Sequence, residues 1–194
     1  MFISSLIFYI MAWRQPPAKR LFHVLTAFIT TFATISYFAM AVGQGKSYTV
    51  ETHKVYSEHG GPASYTESHR ELYWARYADW SVTTPLLLLD LAVLAGLNGA
   101  DITVAVVADV IMVLTGLFAA VSGDRATAWG WYIMACVAYL VIVYLLGVNG
   151  RSIVKTKDSK TASFFTSIAT YTLVLWTAYP VVWALAVRSA PPDI

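Results

Sequence analysis

Residues 72–96, LYWARYADWSVTTPLLLLDLAVLAG, form an apolar run long enough to cross a bilayer, yet they carry Arg76, Asp79 and Asp90 within it. In lipid each backbone polar group must be satisfied inside its own segment, so a lone spanning run of this kind has to be a helix. An ionised side chain at bilayer depth costs from about 2.5 to more than 10 kcal/mol, which drives such residues to polar interiors where they move charge. At 100° per residue, Asp79 and Asp90 fall about 20° apart around the helix and roughly 16 Å apart along it. Thr83 lies between them on that face, and Arg76 sits one turn before Asp79. One helix therefore presents two carboxylates, a hydroxyl and a guanidinium as a ladder across the membrane.

The remaining apolar runs place this span in a bundle. The 194 residues are 58% hydrophobic and only 12% charged, with a mean hydropathy of +0.60. A soluble domain carries about twice that charged fraction. Residues 1–13 are apolar but too short for a full span. They lack a basic leader and meet Trp13, Arg14 and Gln15 rather than a small-residue cleavage site, so they read as the inner part of a spanning helix and not as a signal peptide. Further spans are expected at 21–43, 102–121, 128–148 and 164–187, the last with Pro180 expected to kink it. A basic turn at 14–20, a polar segment at 44–71 with Gly60-Gly61-Pro62 near its middle, and a basic loop at 149–163 separate them. The whole chain, 1–194, reads as a single transmembrane helix-bundle domain.

Loop charge orients the bundle. The 14–20 turn has Arg14, Lys19 and Arg20 and no acid, and the 149–163 loop has Arg151, Lys155, Lys157 and Lys160 against Asp158. Residues 44–71 instead balance Lys46, Lys54 and Arg70 with Glu51, Glu58, Glu67 and Glu71. Lysine and arginine excess marks the cytoplasmic side, so 14–20 and 149–163 are expected inside, and 44–71 outside. In that frame Asp79 lies in the outer half of its helix and Asp90 in the cytoplasmic half, the order wanted of an outer acceptor and an inner donor.

Other chemistries find little support. Basic residues form no patch interleaved with stacking aromatics, so nucleic acid is not an expected partner. Cys136 is alone, His23 reads as an interfacial side chain, and His53, His59 and His69 lack the i, i+4 spacing of a helical metal site, so no metal is expected. No nucleotide loop or hydrolase nucleophile motif occurs, and the chain does not read as an enzyme. Two aspartates on one face could serve as hydrogen-bonded glue between helices, but with Arg76 a turn away, ion or proton transfer is the better reading. For Asp109, glue is as good a reading as any function. Trp176, Tyr179 and Trp183 recur at steps of three and four as one aromatic stripe. With Trp80, Thr84, Met112 and Gly116 they suit a flat, elongated apolar ligand enclosed by the bundle, although each alone is ordinary packing.

Taken together these residues resemble the microbial rhodopsins, and most closely the fungal, bacteriorhodopsin-like opsins. Tyr73-Trp-Ala-Arg76-Tyr-Ala-Asp79-Trp80, continuing through Thr83-Thr84-Pro85 to Asp90, resembles the third helix of that family. Val174-Leu-Trp176-Thr-Ala-Tyr179-Pro180-Val-Val-Trp183 resembles its sixth, and Asp109-Val-Ile-Met112 with Gly116 its fourth. The resemblance implies an all-α membrane protein with six recognisable transmembrane helices of a seven-helix rhodopsin-type bundle, the first incomplete and the seventh absent. It implies retinal held as a protonated Schiff base on a seventh-helix lysine, and light-driven outward proton transport in the plasma membrane.

Carried over residue by residue, the resemblance implies that Asp79 is counterion and first proton acceptor, with Thr83 as its hydrogen-bond partner. Arg76 couples Asp79 to an outer release group, and Asp90, held by Thr26, returns a proton from the cytoplasmic side. Trp80, Thr84, Met112, Gly116, Tyr132, Trp176, Tyr179, Pro180 and Trp183 line the retinal pocket. The carboxyl of Asp90 favours pumping over a light-sensing opsin. Lipid bilayer, retinal and protons are the implied partners, with homo-oligomer formation open. Lys19, Lys46, Lys54, Lys155, Lys157 and Lys160 all lie outside the apolar spans, so the chain as it stands is expected to be a fragment that does not form the covalent pigment. A non-pigmented opsin-like or chaperone-type membrane protein is the reading that the missing lysine favours.

Overall fold

The computed structural model describes residues 1–55 and 64–189. Helix α1, Phe2–Arg14, stops before Pro16, whose extended backbone leads through a 3-10 turn at Pro17–Lys19 into α2, Leu21–Ala41. Proline lacks the N–H that a helix interior needs and fixes the chain direction, hence the stop at this point. The segment read as a polar loop instead folds as an antiparallel hairpin, β1 Ser47–Val55 against β2 Ser64–Leu72, in a register from Ser47↔Leu72 to Val55↔Ser64. Gly60-Gly61-Pro62, near the middle of that segment, lies outside the described residues. The hairpin base is stitched to α3, Trp74–Ala95. Ala75 donates its N–H to the Gly45 carbonyl at 3.0 Å, and Gly45 has φ +70° with the Ala75 methyl where a side chain would begin. Only glycine tolerates both conditions.

Helix α3 ends at Gly96, left-handed at φ +83°, with the Leu97 N–H reaching back to the Ala92 carbonyl at 3.0 Å. Asn98 caps α4, Gly99–Val121, by accepting from the Asp101 N–H at 2.9 Å. Asp124 does the same for α5, Arg125–Tyr144, taking the Thr127 N–H at 2.7 Å. These caps satisfy amide groups that the first turn leaves open, so the fourth and fifth spans begin three residues earlier than hydropathy alone places them. A π-helical turn, Leu145–Gly150, carries α5 on into a short α6, Arg151–Val154. Asp158 then caps α7, Ser159–Ser189, the sixth span, which contains Pro180 and continues unbroken through it. The expected loop at 149–163 thus contracts to 155–158, and Lys157 anchors that turn by donating to the Leu94 carbonyl at 3.0 Å.

By length and composition, α2, α3, α4, the α5–α6 rod and α7 can each cross a membrane, and α1 is a shorter apolar helix. Large apolar side chains such as Phe38, Ile35, Leu140 and Val174 point outward, as they do where lipid is the solvent. Since lipid tails are as apolar as leucine, such helices associate through close packing and polar contacts rather than water exclusion. The core shows this. Ala92, Ala95, Ala108 and Ala169 let α3, α4 and α7 approach closely, with Leu88, Leu91, Ile142, Leu146, Val154 and Phe165 filling between them. This plug occupies the end of the bundle that holds the 155–158 turn, and the hairpin end is packed differently.

Candidate functional site

Toward the hairpin, α3, α4, α5 and α7 separate around a cavity of about 490 Å³, a size that suits a small organic ligand. Trp80 and Thr84 of α3, Met112 and Gly116 of α4, Tyr132 of α5, and Trp176, Tyr179, Pro180 and Trp183 of α7 all line it. The nine residues that the resemblance implies for the retinal pocket are therefore brought together. Trp80 meets Tyr179 edge-on with ring centres 5.1 Å apart, and Tyr132 stacks on Trp183 at 4.7 Å with planes 9° apart. Pro180 brings no N–H to the hydrogen-bond ladder of α7, and two tyrosines of α5 tie the helices together, one at Pro180 and one two turns before it. Tyr132 donates to the Pro180 carbonyl at 3.0 Å and Tyr139 to the Leu173 carbonyl at 2.7 Å.

The wall between α3 and α4 is fixed by a polar clamp. Thr84 donates to Asp109 Oδ2 at 2.6 Å, and Asp109 is fully buried, with its Oδ1 unpartnered. Of the two readings open for Asp109, the contact gives it at least the role of glue between helices.

The charge ladder is less uniform than its spacing suggests. Asp79 is 5% exposed, its Oδ1 has no hydrogen-bond partner, and it lies beside the cavity wall rather than in its lining. Thr83 is buried next to it but donates to the backbone carbonyl of Asp79 at 2.9 Å rather than to its carboxyl. Arg76 is exposed and lines the cavity mouth. Asp90 is half-buried with Oδ1 shielded and unpartnered. The structure does not join it to Thr26, whose hydroxyl donates to the Phe22 carbonyl of its own helix at 2.8 Å. His23 is half-buried in α2 with Nδ1 unpartnered. His59 lies outside the described residues, and among the described residues no group of three or more histidines, cysteines or acids gathers as a metal site.

The cavity also takes in residues that patterning had not singled out. Tyr77 lies one turn before Trp80, and Tyr139 lies two turns after Tyr132, so helical periodicity could have indicated both. Glu71, Leu72 and Tyr73 reach the mouth from the end of the hairpin, and only the fold brings them there. Glu71 accepts from Lys46 Nζ at 3.1 Å and from the Tyr73 hydroxyl at 2.9 Å. The hydrogen bond from Lys46, aided by the one from Tyr73, holds the Glu71 carboxyl below its ordinary range.

A model of the bacteriorhodopsin-like protein family matches residues 1–191. Opsin-1 of Neurospora crassa is 45% identical over 188 residues, 96% of this chain and 62% of that protein. Bacteriorhodopsin of a Haloterrigena species is 38% identical over 164 residues, 84% of this chain and 60% of that protein. The chain thus spans about three fifths of the length of these relatives. The solved structure of the light-driven proton pump LR (Mac) from Leptosphaeria maculans matches with a TM-score of 0.88 at 47% identity, covering 100% of this chain and 78% of that one. The light-driven proton pump CsR from Coccomyxa subellipsoidea matches with a TM-score of 0.83 at 34% identity, covering 98% and 79%. The run from Arg76 through Asp79 to the cavity-lining Trp80 and Thr84, with their partners on α4, α5 and α7, therefore sits in a known framework: the chain belongs to the bacteriorhodopsin-like family, as a microbial rhodopsin of the fungal type, and is an integral multi-pass membrane protein.

Proposed function

We propose that this chain is the proton-conducting part of a retinal-based, light-driven outward proton pump of the plasma membrane. The observation that carries the reading is the convergence of the nine expected lining residues on one aromatic cavity, with buried Asp79 beside it. The residues present fit retinal. The walls are flat rings, Gly116 leaves room on α4, and the volume is that of a small-ligand site. Retinal held in such a cavity through a lysine supplies the light-driven change in shape and proton affinity. No lysine is among the described lining residues.

The chain's own residues then divide the work. Asp79, shielded from water and lacking a partner at Oδ1, is placed to take a proton released at the cavity. Thr83 spends its donor on the helix backbone and leaves the Asp79 carboxyl free to take that proton. Arg76, one turn nearer the mouth, sets the field that lets the proton move outward. Asp90, shielded at the level of the plug between Leu88 and Leu91, returns a proton toward the cavity, with Thr26 as its expected neighbour. Residues 14–20 and 149–163 face the cytoplasm in this reading, and 44–71 face outside.

The chain extended by a lysine-bearing seventh helix is expected to absorb visible light and to acidify the medium of illuminated cells. A pigment that colours normally, moves no protons, and keeps its photocycle in Asp90→Asn refutes pumping in favour of sensing. An extended chain that takes up no retinal favours the non-pigmented reading.

A further inference from the structure

The cavity mouth holds one carboxylate that the sequence reading left unused. Glu71 is the only acid among the described lining residues, and it shares the mouth with Arg76 and Tyr73. Its side chain is 40% exposed, so it touches both the cavity and the aqueous side. Its position is built. Lys46 and Tyr73 hold its two oxygens, the ladder pairs the adjacent Leu72 with Ser47, and the Ala75-to-Gly45 bond locks the hairpin base onto α3. The charged and titratable groups around it are Lys46 and Tyr48 from the start of the hairpin, and Tyr73 and Arg76 from the start of α3.

We propose that Glu71 is the exit carboxylate of the transport path, taking the proton that leaves Asp79 past Arg76 and passing it to water outside the bundle. The proposal rests on the transport reading above. In the step, the O–H of protonated Asp79 breaks and Asp79 returns to a carboxylate. One O–H forms on a Glu71 oxygen, whose bond from Lys46 or Tyr73 weakens as its charge is lost. That O–H then breaks to bulk water, and Glu71 is restored as the anion. Tyr73 and Asp79 stand six residues apart, roughly 9 Å along the helix, so the proton crosses by hops over intervening hydrogen-bonding groups rather than one direct transfer. Because its two partners stabilise the anion, Glu71 hands the proton on rather than keeping it.

The test uses the seven-helix pigment that contains this chain and times the appearance of protons in the external solution with a pH-sensitive dye after a flash. Glu71→Gln is expected to keep pigment yield and absorption maximum while delaying external release on the order of a hundredfold, the low end of what a positioned proton carrier contributes. Glu71→Asp is expected to restore most of the speed. Lys46→Gln breaks the same ion pair but leaves the carboxylate and its bond from Tyr73, and is expected to slow release much less than Glu71→Gln does. Unchanged timing in Glu71→Gln, or an equal delay in Lys46→Gln, overturns the exit role, the latter because it shows that the pair acts only as a latch. If the unaltered pigment releases no protons, the transport reading fails and this proposal with it, an outcome distinct from a pumping pigment indifferent to Glu71.

Discussion

Replacing Thr84 by valine keeps the shape of the side chain and removes the donor of the 2.6 Å bond that joins α3 to α4 through Asp109. Two effects add. Interhelical hydrogen bonds in bacteriorhodopsin, a member of the same family, average about 0.6 kcal/mol and reach about 1.7. The second effect arises because Asp109 is 0% exposed and its Oδ1 already lacks a partner, so the substitution orphans the whole carboxyl. An orphaned buried polar group costs about 1–3 kcal/mol. A total near 2 kcal/mol is expected, which for a chain of this size lowers the melting temperature by roughly 4–8 °C. The assay is thermal unfolding of the chain in lipid nanodiscs, followed by helical circular dichroism. The double variant Thr84→Val with Asp109→Leu removes both partners at once and should recover most of the loss, since replacing a buried pair by apolar groups is nearly neutral. A Thr84→Val chain that melts with the unaltered one, or a double variant no more stable than the single, would refute the clamp. Met112 and Gly116 lie one and two turns beyond Asp109 on α4, so a loosened clamp should also weaken retinal-induced quenching of tryptophan fluorescence.

Other expectations follow from single contacts. Gly116→Trp fills the cavity, because only Tyr77 at 3.8 Å stands near a side chain begun there; retinal should then no longer quench tryptophan fluorescence. Gly130→Ala meets nothing within 4 Å and gains about 1 kcal/mol of helix propensity, whereas Gly150→Ala brings its methyl 2.8 Å from the buried Phe165 ring, so a higher melting temperature is expected for the first and a lower one for the second. The carboxyls of Asp124 and Asp158 sit below their ordinary range, chiefly through the Thr127 hydroxyl and the Thr161 amide respectively. A depressed carboxyl stabilises above its unfolded value and loses that contribution as pH falls through its folded value. Amide exchange at the starts of α5 and α7 should therefore quicken only below about pH 4, and Asp124→Asn should remove that dependence from α5 alone.

The residues that declared themselves in the sequence were those repeating at helical steps. Trp176, Tyr179 and Trp183 on one helix, and Trp80 and Thr84 on another, each mark a face by spacing alone, and those faces do meet at one cavity. The helix starts were misjudged because hydropathy cannot see caps. Asn98, Asp124 and Asp158 are polar, yet each opens a helix by accepting an amide hydrogen bond. The hairpin was missed because Tyr48, Thr49, Val50 and their partners mix charge with β-branched and aromatic residues, which composition reads as loop and only cross-strand pairing resolves. Where a hydroxyl points was also beyond the sequence. Thr26, Thr83 and Thr84 all sit in helices at plausible distances from an acid, and each hydroxyl lies against the carbonyl four residues back in its own helix, but only that of Thr84 also meets a carboxyl, across on α4 at Asp109.

The bundle is closed at one end by Leu88, Leu91, Ile142, Leu146 and Phe165 and opened at the other by the cavity and its polar mouth. Close-packed side chains leave no room for a file of water, so in the proposed pump a resting group beside the cavity reaches water from the mouth alone. In the proposed pump this asymmetry makes the cavity end a vestibule and the plug a gate, so the helices around Leu146 and Phe165 are the ones that have to part for a proton to enter from the other side.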